Sequence, residues 1–173
     1  LVFNGTHHER SAQGKQATDA PPVEPPMRIW DLRENRESPR WEATSLGTGN
    51  WRLLGFTAGG RQMVCIDEQA TVWVMDFKSG EPISTYEIPA EPNNVVLSPD
   101  GTMLAYGSED GNSTAFDLAT QRSYTWDTRS DVNSRHVFSP DSKVLLSSGN
   151  EQEPCILVWA TAAIRRAMNR QPK

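Results

Sequence analysis

Three carboxylates lie close together in the stretch LSPDGTMLAYGSEDG, residues 97–111 of the 173-residue chain. They are Asp100, Glu109 and Asp110, and serine and glycine surround them. Converging carboxylates can hold a divalent cation or act as a general acid and base. The same residue types also build tight turns, because Asp accepts hydrogen bonds from its own backbone and Gly adopts positive φ. The arrangement of the acids along the chain decides between these interpretations.

The acids follow a repeat. Turn signals begin at Thr57, Ser98 and Ser139, which are 41 residues apart. A partial earlier copy places Asp31 45 residues before Asp76. Side chains that recur at such intervals mark the same structural position in successive units. Turns are therefore the favoured interpretation of the acids in SPDG and SEDG, whereas Glu109 has no counterpart and is predicted to be solvated.

Each copy predicts the same short strands. An apolar run enters the turn, as in residues 95–97 and 136–138, and a polar turn separates the second strand from the third. The predicted second strands are 63–66, 103–106 and 144–146; the third are 29–31, 72–76, 114–117 and 156–159; the fourth are 40–44, 83–88 and 122–126. Four short strands in about 41 residues are typical of a four-stranded antiparallel blade.

Several of these segments resemble the WD-repeat β-propeller family. The resemblance rests on RIWDL (28–32), SPDG (98–101), GSEDG (107–111) and FDLAT (116–120), and it extends from Met27 to Trp159. It implies an all-β fold, a partial β-propeller of about three to four four-stranded blades. The marks of turn and repeat are Trp30, Asp31, Asp76, Pro99, Asp100, Gly101, Ser108, Asp110, Gly111, Asp117, Pro140, Asp141 and Trp159.

The copies depart from the family pattern in their polar residues. The family has a His before the first strand, where this chain has IPAE (88–91) and TRSD (128–131). His136 lies inside a predicted strand instead, and Phe116 stands where the family has Trp. We therefore expect an incomplete polar network and a fold that depends more on packing.

The organisation predicted is one propeller portion over residues 1–160, with a long loop insertion at 5–26 and repeats at about 27–50, 51–92, 93–131 and 132–160. Residues 161–173 are predicted to form a C-terminal helix or tail. Its apolar stripe is Ala160, Ala163, Ile164, Ala167 and Met168. About three and a half blades are present, so we expect a C-terminal portion of a larger propeller whose remaining blades lie elsewhere in the full-length chain.

The sequence contains no GxSxG, HExxH, P-loop or GxGxxG motif, and we predict no catalytic, cofactor-binding or metal-binding residue. A net charge of −5 argues against nucleic-acid binding. No apolar run is long enough to span a membrane. Cys65 and Cys155 are predicted to be buried free thiols. Localisation is unknown, with the cytoplasm slightly favoured.

The function that the resemblance implies is a non-catalytic scaffold that binds other, unidentified proteins or peptides. One alternative is a propeller enzyme whose active residues lie in other blades; polar groups converging at the starts of the first strands, around Asn93, Asn94, Asn133 and Arg135, would favour it. A second alternative is a sensor propeller of a larger signalling protein. Fold alone does not choose among these.

Overall fold

β-Branched and aromatic residues alternate with polar ones between Gly- and Asp-rich turns, and the chain folds accordingly into strands. The computed structural model describes residues 2–3, 28–37, 50–57, 59–88, 92–108, 110–127, 135–148 and 155–170. The predicted loop at 5–26, Glu109 and Asn133 lie outside these residues.

Fourteen strands and one helix are formed by the described residues. They are β1 Val2–Phe3, β2 Arg28–Asp31, β3 Arg36–Glu37, β4 Arg52–Phe56, β5 Gln62–Ile66, β6 Thr71–Asp76, β7 Pro82–Glu87, β8 Asn93–Leu97, β9 Met103–Gly107, β10 Asn112–Asp117, β11 Arg122–Asp127, β12 His136–Phe138, β13 Val144–Ser148, β14 Ile156–Ala160 and α1 Thr161–Arg170.

The strands form four antiparallel sheets in chain order. The first sheet is β1-β2-β3, the second β4-β5-β6-β7, the third β8-β9-β10-β11 and the fourth β12-β13-β14. The leading strands of successive sheets touch, β4 against β8 and β8 against β12. An all-β fold of meandering sheets side by side, with a short C-terminal helix, confirms the predicted partial propeller-like architecture.

The predicted fourth strand of the first copy, residues 40–44, lies outside the described residues. β3 starts at Arg36 and pairs with β2 through Asp31↔Arg36. The third sheet has the same geometry, with Asp117 opposite Arg122. The turn that the Asp begins sets the number of residues between the Asp and the next strand. The turn therefore determines where that strand starts.

Two apolar layers hold the second, third and fourth sheets together. Val64, Val72 and Val74 of the second sheet pack with Leu104 and Tyr106 of the third. On its other side the third sheet packs against the fourth, and α1 closes this second layer; its main members are Met103, Ala105, Ala115, Trp126, Phe138 and Leu145. Every residue of β9 is buried, because this strand has a sheet on each side.

The C-terminal helix packs against that second layer. Ile164 and Met168 are buried, as the apolar stripe predicts. Ala160 was wrongly placed in the helix, since it ends β14, and Ala163 is exposed. The helix contacts β11 as well as β14, so it bridges two sheets instead of lying on the last one. Among the described residues, no helix has the length and apolar character needed to cross a membrane.

The two cysteines lie in different environments. Cys65 is fully buried in the second sheet, and burial raises the pKa of its thiol to about 12. This thiol is therefore inert at neutral pH. Cys155 is exposed just before β14, so the prediction that it is buried is wrong.

Candidate functional site

Asp100, the acid of SPDG, accepts hydrogen bonds within its own turn. Asp100 Oδ1 accepts hydrogen bonds from Ser98 Oγ at 2.6 Å, from Thr102 Oγ1 at 2.8 Å and from the Thr102 amide at 3.1 Å. Burial alone would raise the pKa of Asp100, but these bonds and the charge of Arg165 lower it on balance. A carboxylate committed in this way is a structural acceptor and not a general base.

Three such turns are stacked against one another. In each, the amide three residues on donates to the carbonyl of Thr57, Ser98 or Ser139 at 2.8–3.0 Å. Gly101 has φ +71° and lies so close to the second-sheet turn that a Cβ would stand 2.2 Å from Thr57 Cα. On the other side, the Asp100 amide donates to Ser142 Oγ at 2.9 Å. The turns therefore also join neighbouring sheets.

A second set of acids ends the third strands. Asp31, Asp76 and Asp117 each accept, through Oδ1, the backbone amides two and three residues later. Hydrogen bonds from those amides lower the pKa of the exposed carboxyls Asp31 and Asp76. Each of these acids therefore begins the turn to the outermost strand.

Asp110, an acid of SEDG, likewise accepts hydrogen bonds within its own turn. Asp110 accepts hydrogen bonds from Ser108 Oγ and from the amide and side chain of Asn112, and Gly111 follows with φ +80°. The Ser108 and Asn112 bonds lower the pKa of Asp110. Asp141, after Pro140, has the same role, since it accepts from Ser139 Oγ and the Lys143 amide. Among the described residues no group of three or more His, Cys, Asp or Glu could hold a metal ion.

Asp110→Ala is expected to lower the melting temperature by only a few degrees, because the turn loses its acceptors but keeps its glycine. Asp110→Asn keeps an oxygen acceptor and is the matched control, with a smaller decrease. Thermal unfolding followed by circular dichroism measures both. A decrease that is equally large in Asp110→Asn would contradict the role of the hydrogen bonds.

A buried polar contact joins the third and fourth sheets. His136 Nε2 lies 2.8 Å from Ser113 Oγ, and both side chains are buried. Burial lowers the pKa of His136 to about 4, so the imidazole is neutral at physiological pH. Although Ser and His are common partners in catalysis, neither reaches solvent here, so the pair ties the sheets together and cannot meet a substrate.

Two tryptophans make hydrogen bonds within their own sheets. Trp159 Nε1 donates to Ser147 Oγ at 3.2 Å, and Trp73 Nε1 donates to Asp67 Oδ2 at 2.9 Å. The other marker Trp of the repeats, Trp30, precedes Asp31 on β2 and is exposed. The copies therefore keep parts of a polar network, with different members in each sheet.

Arg165 fastens the helix to the third sheet. Its Nη2 donates to Thr102 Oγ1, and its Nε lies 3.3 Å from Asp117 Oδ2. From the start of the helix, Thr161 Oγ1 donates to the Ser142 carbonyl at 2.9 Å. Arg165 is thus engaged in contacts within the fold.

The clearest candidate binding site is a cleft at the end of the second sheet where the first strand starts. Its volume is about 400 Å³, and it is lined by Asn50, Arg52, Ile66, Asp67, Glu68, Gln69, Ala70 and Pro92. Arg52 and Glu68 are exposed and oppositely charged. Asp67 is not available, because its oxygens accept from Trp73 and from the amides of Gln69 and Thr71. We call these eight residues the Asp67 cleft.

Sequence inspection did not predict the Asp67 cleft, although it considered polar groups at the starts of the first strands. It named Asn93, Asn94 and Arg135, of which Asn93 is half-buried and the other two are exposed. A bulge with Asn94 at φ +48° interrupts the pairing of β8 with β9 at this end. The cleft forms from residues that are up to 42 positions apart, so the signal in any one segment is small. No family model matches the chain, and no curated protein matches it.

Proposed function

We propose that the chain is part of a WD-repeat-like, non-catalytic scaffold that binds another protein or a peptide through the Asp67 cleft. Asp100 and Asp110, two of the three carboxylates that suggested chemistry, are acceptors in their own turns, and we consider binding the function that the described surface suits. The Asp67 cleft supports the proposal best, because it combines exposed charges of both signs with amides and apolar side chains.

The lining suits a short peptide segment. Asn50 and Gln69 offer amide donors and acceptors for a peptide backbone, and Arg52 and Glu68 offer partners for charged side chains. Ile66, Ala70 and Pro92 supply apolar contact. A volume of about 400 Å³ accommodates a few side chains and not a whole domain, so the cleft would determine specificity within a larger contact.

Selection of a random peptide library on the full chain tests the proposal. We expect selected peptides to lose at least tenfold in affinity, measured by fluorescence anisotropy, when Arg52→Glu is combined with Glu68→Arg. The matched control exchanges charges in the exposed turn at the opposite end of the same sheet, Lys78→Glu with Glu81→Lys, and should leave affinity unchanged.

Equal affinity of the selected peptides for the cleft variant would place binding elsewhere and overturn the proposal. Mass spectrometry of each peptide after incubation gives a second criterion. A cleaved or modified peptide would instead support the alternative of a catalytic propeller.

A further inference from the structure

Five side chains form a closed chain of contacts between the third and fourth sheets. His136 Nε2 lies 2.8 Å from Ser113 Oγ, and His136 stands opposite Ser147 in the pairing of β12 with β13. Trp159 Nε1 donates to Ser147 Oγ, and the Trp159 ring centroid lies 5.1 Å from that of Trp126. Trp126 in turn stands opposite Ser113 in the pairing of β10 with β11. We call these five residues the junction cluster.

Two polar atoms of the junction cluster have no hydrogen-bond partner in the part of the chain that the structure describes. They are His136 Nδ1 and Trp126 Nε1. His136 is 3% exposed and Trp126 is 7% exposed, so bulk solvent does not reach these atoms. Folded proteins rarely leave a buried donor or acceptor unpaired, and they commonly satisfy such groups with a bound water. Both atoms therefore indicate a small polar ligand inside the junction.

The junction between the second and third sheets is apolar at the equivalent positions. A spacing of 41 residues relates the two junctions, and the equivalent residues are Ile66 with Gly107, Val72 with Ser113, Val95 with His136, and Tyr106 with Ser147. The first member of each pair belongs to one apolar cluster. Glycine and serine are smaller than the residues they correspond to, and the phenol ring missing at Ser147 is larger than the excess of His136 over valine.

The junction between the third and fourth sheets thus meets both requirements for a buried water, which are polar partners and space. Its polar partners come from different sheets, because Trp126 lies on β11 and His136 on β12. The hydroxyls of Ser113 and Ser147 each retain capacity for a further hydrogen bond, so a third partner is within the same cluster.

We propose that the junction cluster binds one buried water molecule, which accepts a hydrogen bond from Trp126 Nε1 and is hydrogen-bonded to His136 Nδ1. An indole N–H only donates, so its partner must be an acceptor. The imidazole is neutral, and its Nδ1 is an acceptor or a donor according to the tautomer. Water is the smallest molecule that satisfies the indole together with either tautomer.

An ion does not suit the site, because none of the five side chains carries a charge that would balance it. The bound water would add a second polar link between the third and fourth sheets, beside the direct contact of His136 with Ser113. This inference does not depend on the proposed peptide-binding function.

A high-resolution crystal structure of the full chain tests the site directly. We expect one water within hydrogen-bonding distance, about 2.7–3.2 Å, of both Trp126 Nε1 and His136 Nδ1. Absence of a water at these two atoms would overturn the proposal, and so would a protein group bonded to either of them in its place.

Nuclear Overhauser effects between protein and water test the same site in solution. We expect the Trp126 indole N–H to show an effect with the sign of a long-lived bound water. Trp126→Phe assigns this signal, since it removes the N–H and keeps an aromatic ring. The Trp73 indole is the matched control, because its N–H donates to the Asp67 carboxylate. An effect no stronger at Trp126 than at Trp73 would overturn the proposal.

Ser113→Val combined with His136→Val reproduces the residues of the neighbouring junction, Val72 and Val95. Valine can neither donate nor accept a hydrogen bond, so we expect the water and its Overhauser effect at Trp126 to be lost, with the strand signal in circular dichroism retained. An unchanged effect at Trp126 in this variant would show that His136 does not hold the water and would overturn the proposal. The two measurements on the natural chain stand whether or not the variant folds.

Discussion

Gly101→Ala is expected to lower the free energy of unfolding by about 3 kcal/mol or more, the largest effect of any single change discussed for this chain. Two penalties add. An alanine at φ +71° is in the left-handed region, and its Cβ would stand 2.2 Å from the backbone of Thr57 and 2.8 Å from Thr57 Cβ. Because the obstacle is main chain and not the end of a flexible side chain, the turns of the second and third sheets must separate.

Gly60→Ala is the matched control. Gly60 occupies the same position in the preceding turn and has a similar φ of +66°, but a Cβ there meets nothing within 4 Å. Gly60→Ala should therefore lower the free energy of unfolding only through the left-handed backbone conformation, by about 1 kcal/mol. Urea unfolding of both variants measures the difference. Equal losses would mean that Thr57 can move away freely, and that the stacked turns do not hold the sheets together.

Acidification between pH 6.5 and 4.5 is expected to destabilise the fold through His136. Burial lowers the pKa of this imidazole from its usual 6.5 to about 4. The unfolded chain therefore takes up a proton below pH 6.5 that the folded chain does not bind until about pH 4. The stability that this neutral imidazole contributes is present above pH 6.5 and decreases as the pH falls, by about 2 kcal/mol between pH 6.5 and 4.5.

His136→Gln isolates this contribution. The amide can still reach Ser113 but has no proton to gain, so its stability should be nearly independent of pH in the same interval. Urea unfolding at pH 7.0, 5.5 and 4.5 gives the comparison. The carboxyls with lowered pKa values contribute mainly below this interval, because their unfolded values lie near 4. A pH dependence as steep in His136→Gln as in the natural chain would rule out His136 as its source.

Most strands could be predicted because their signal is local. Alternating side chains, Asp–Gly turns and a 41-residue spacing depend on neighbours along the chain, and β5, β6, β9, β10 and β13 lie within one or two residues of their predicted bounds. The prediction that Cys155 is buried was wrong because it used the average burial of cysteine in proteins, which does not determine the exposure of one residue beside a strand.

The candidate binding surface was less predictable, for a physical reason. The Asp67 cleft joins Arg52, Glu68 and Pro92 from three separate segments, and no periodicity relates them. The contact of His136 with Ser113 likewise joins two sheets. The sequence showed only that His136 lies inside a predicted strand and did not predict this contact.

Local pattern thus accounts for the repeat, the all-β class, the acids as turn residues and the terminal helix. Each of these depends on hydrogen bonds and side-chain alternation within about 40 residues. The contact of Gly101 with Thr57, the bridge that α1 makes between two sheets, and the buried pair of His136 and Ser113 depend on how one sheet lies against another. Such packing is a relation between distant segments, and only the folded chain reveals it.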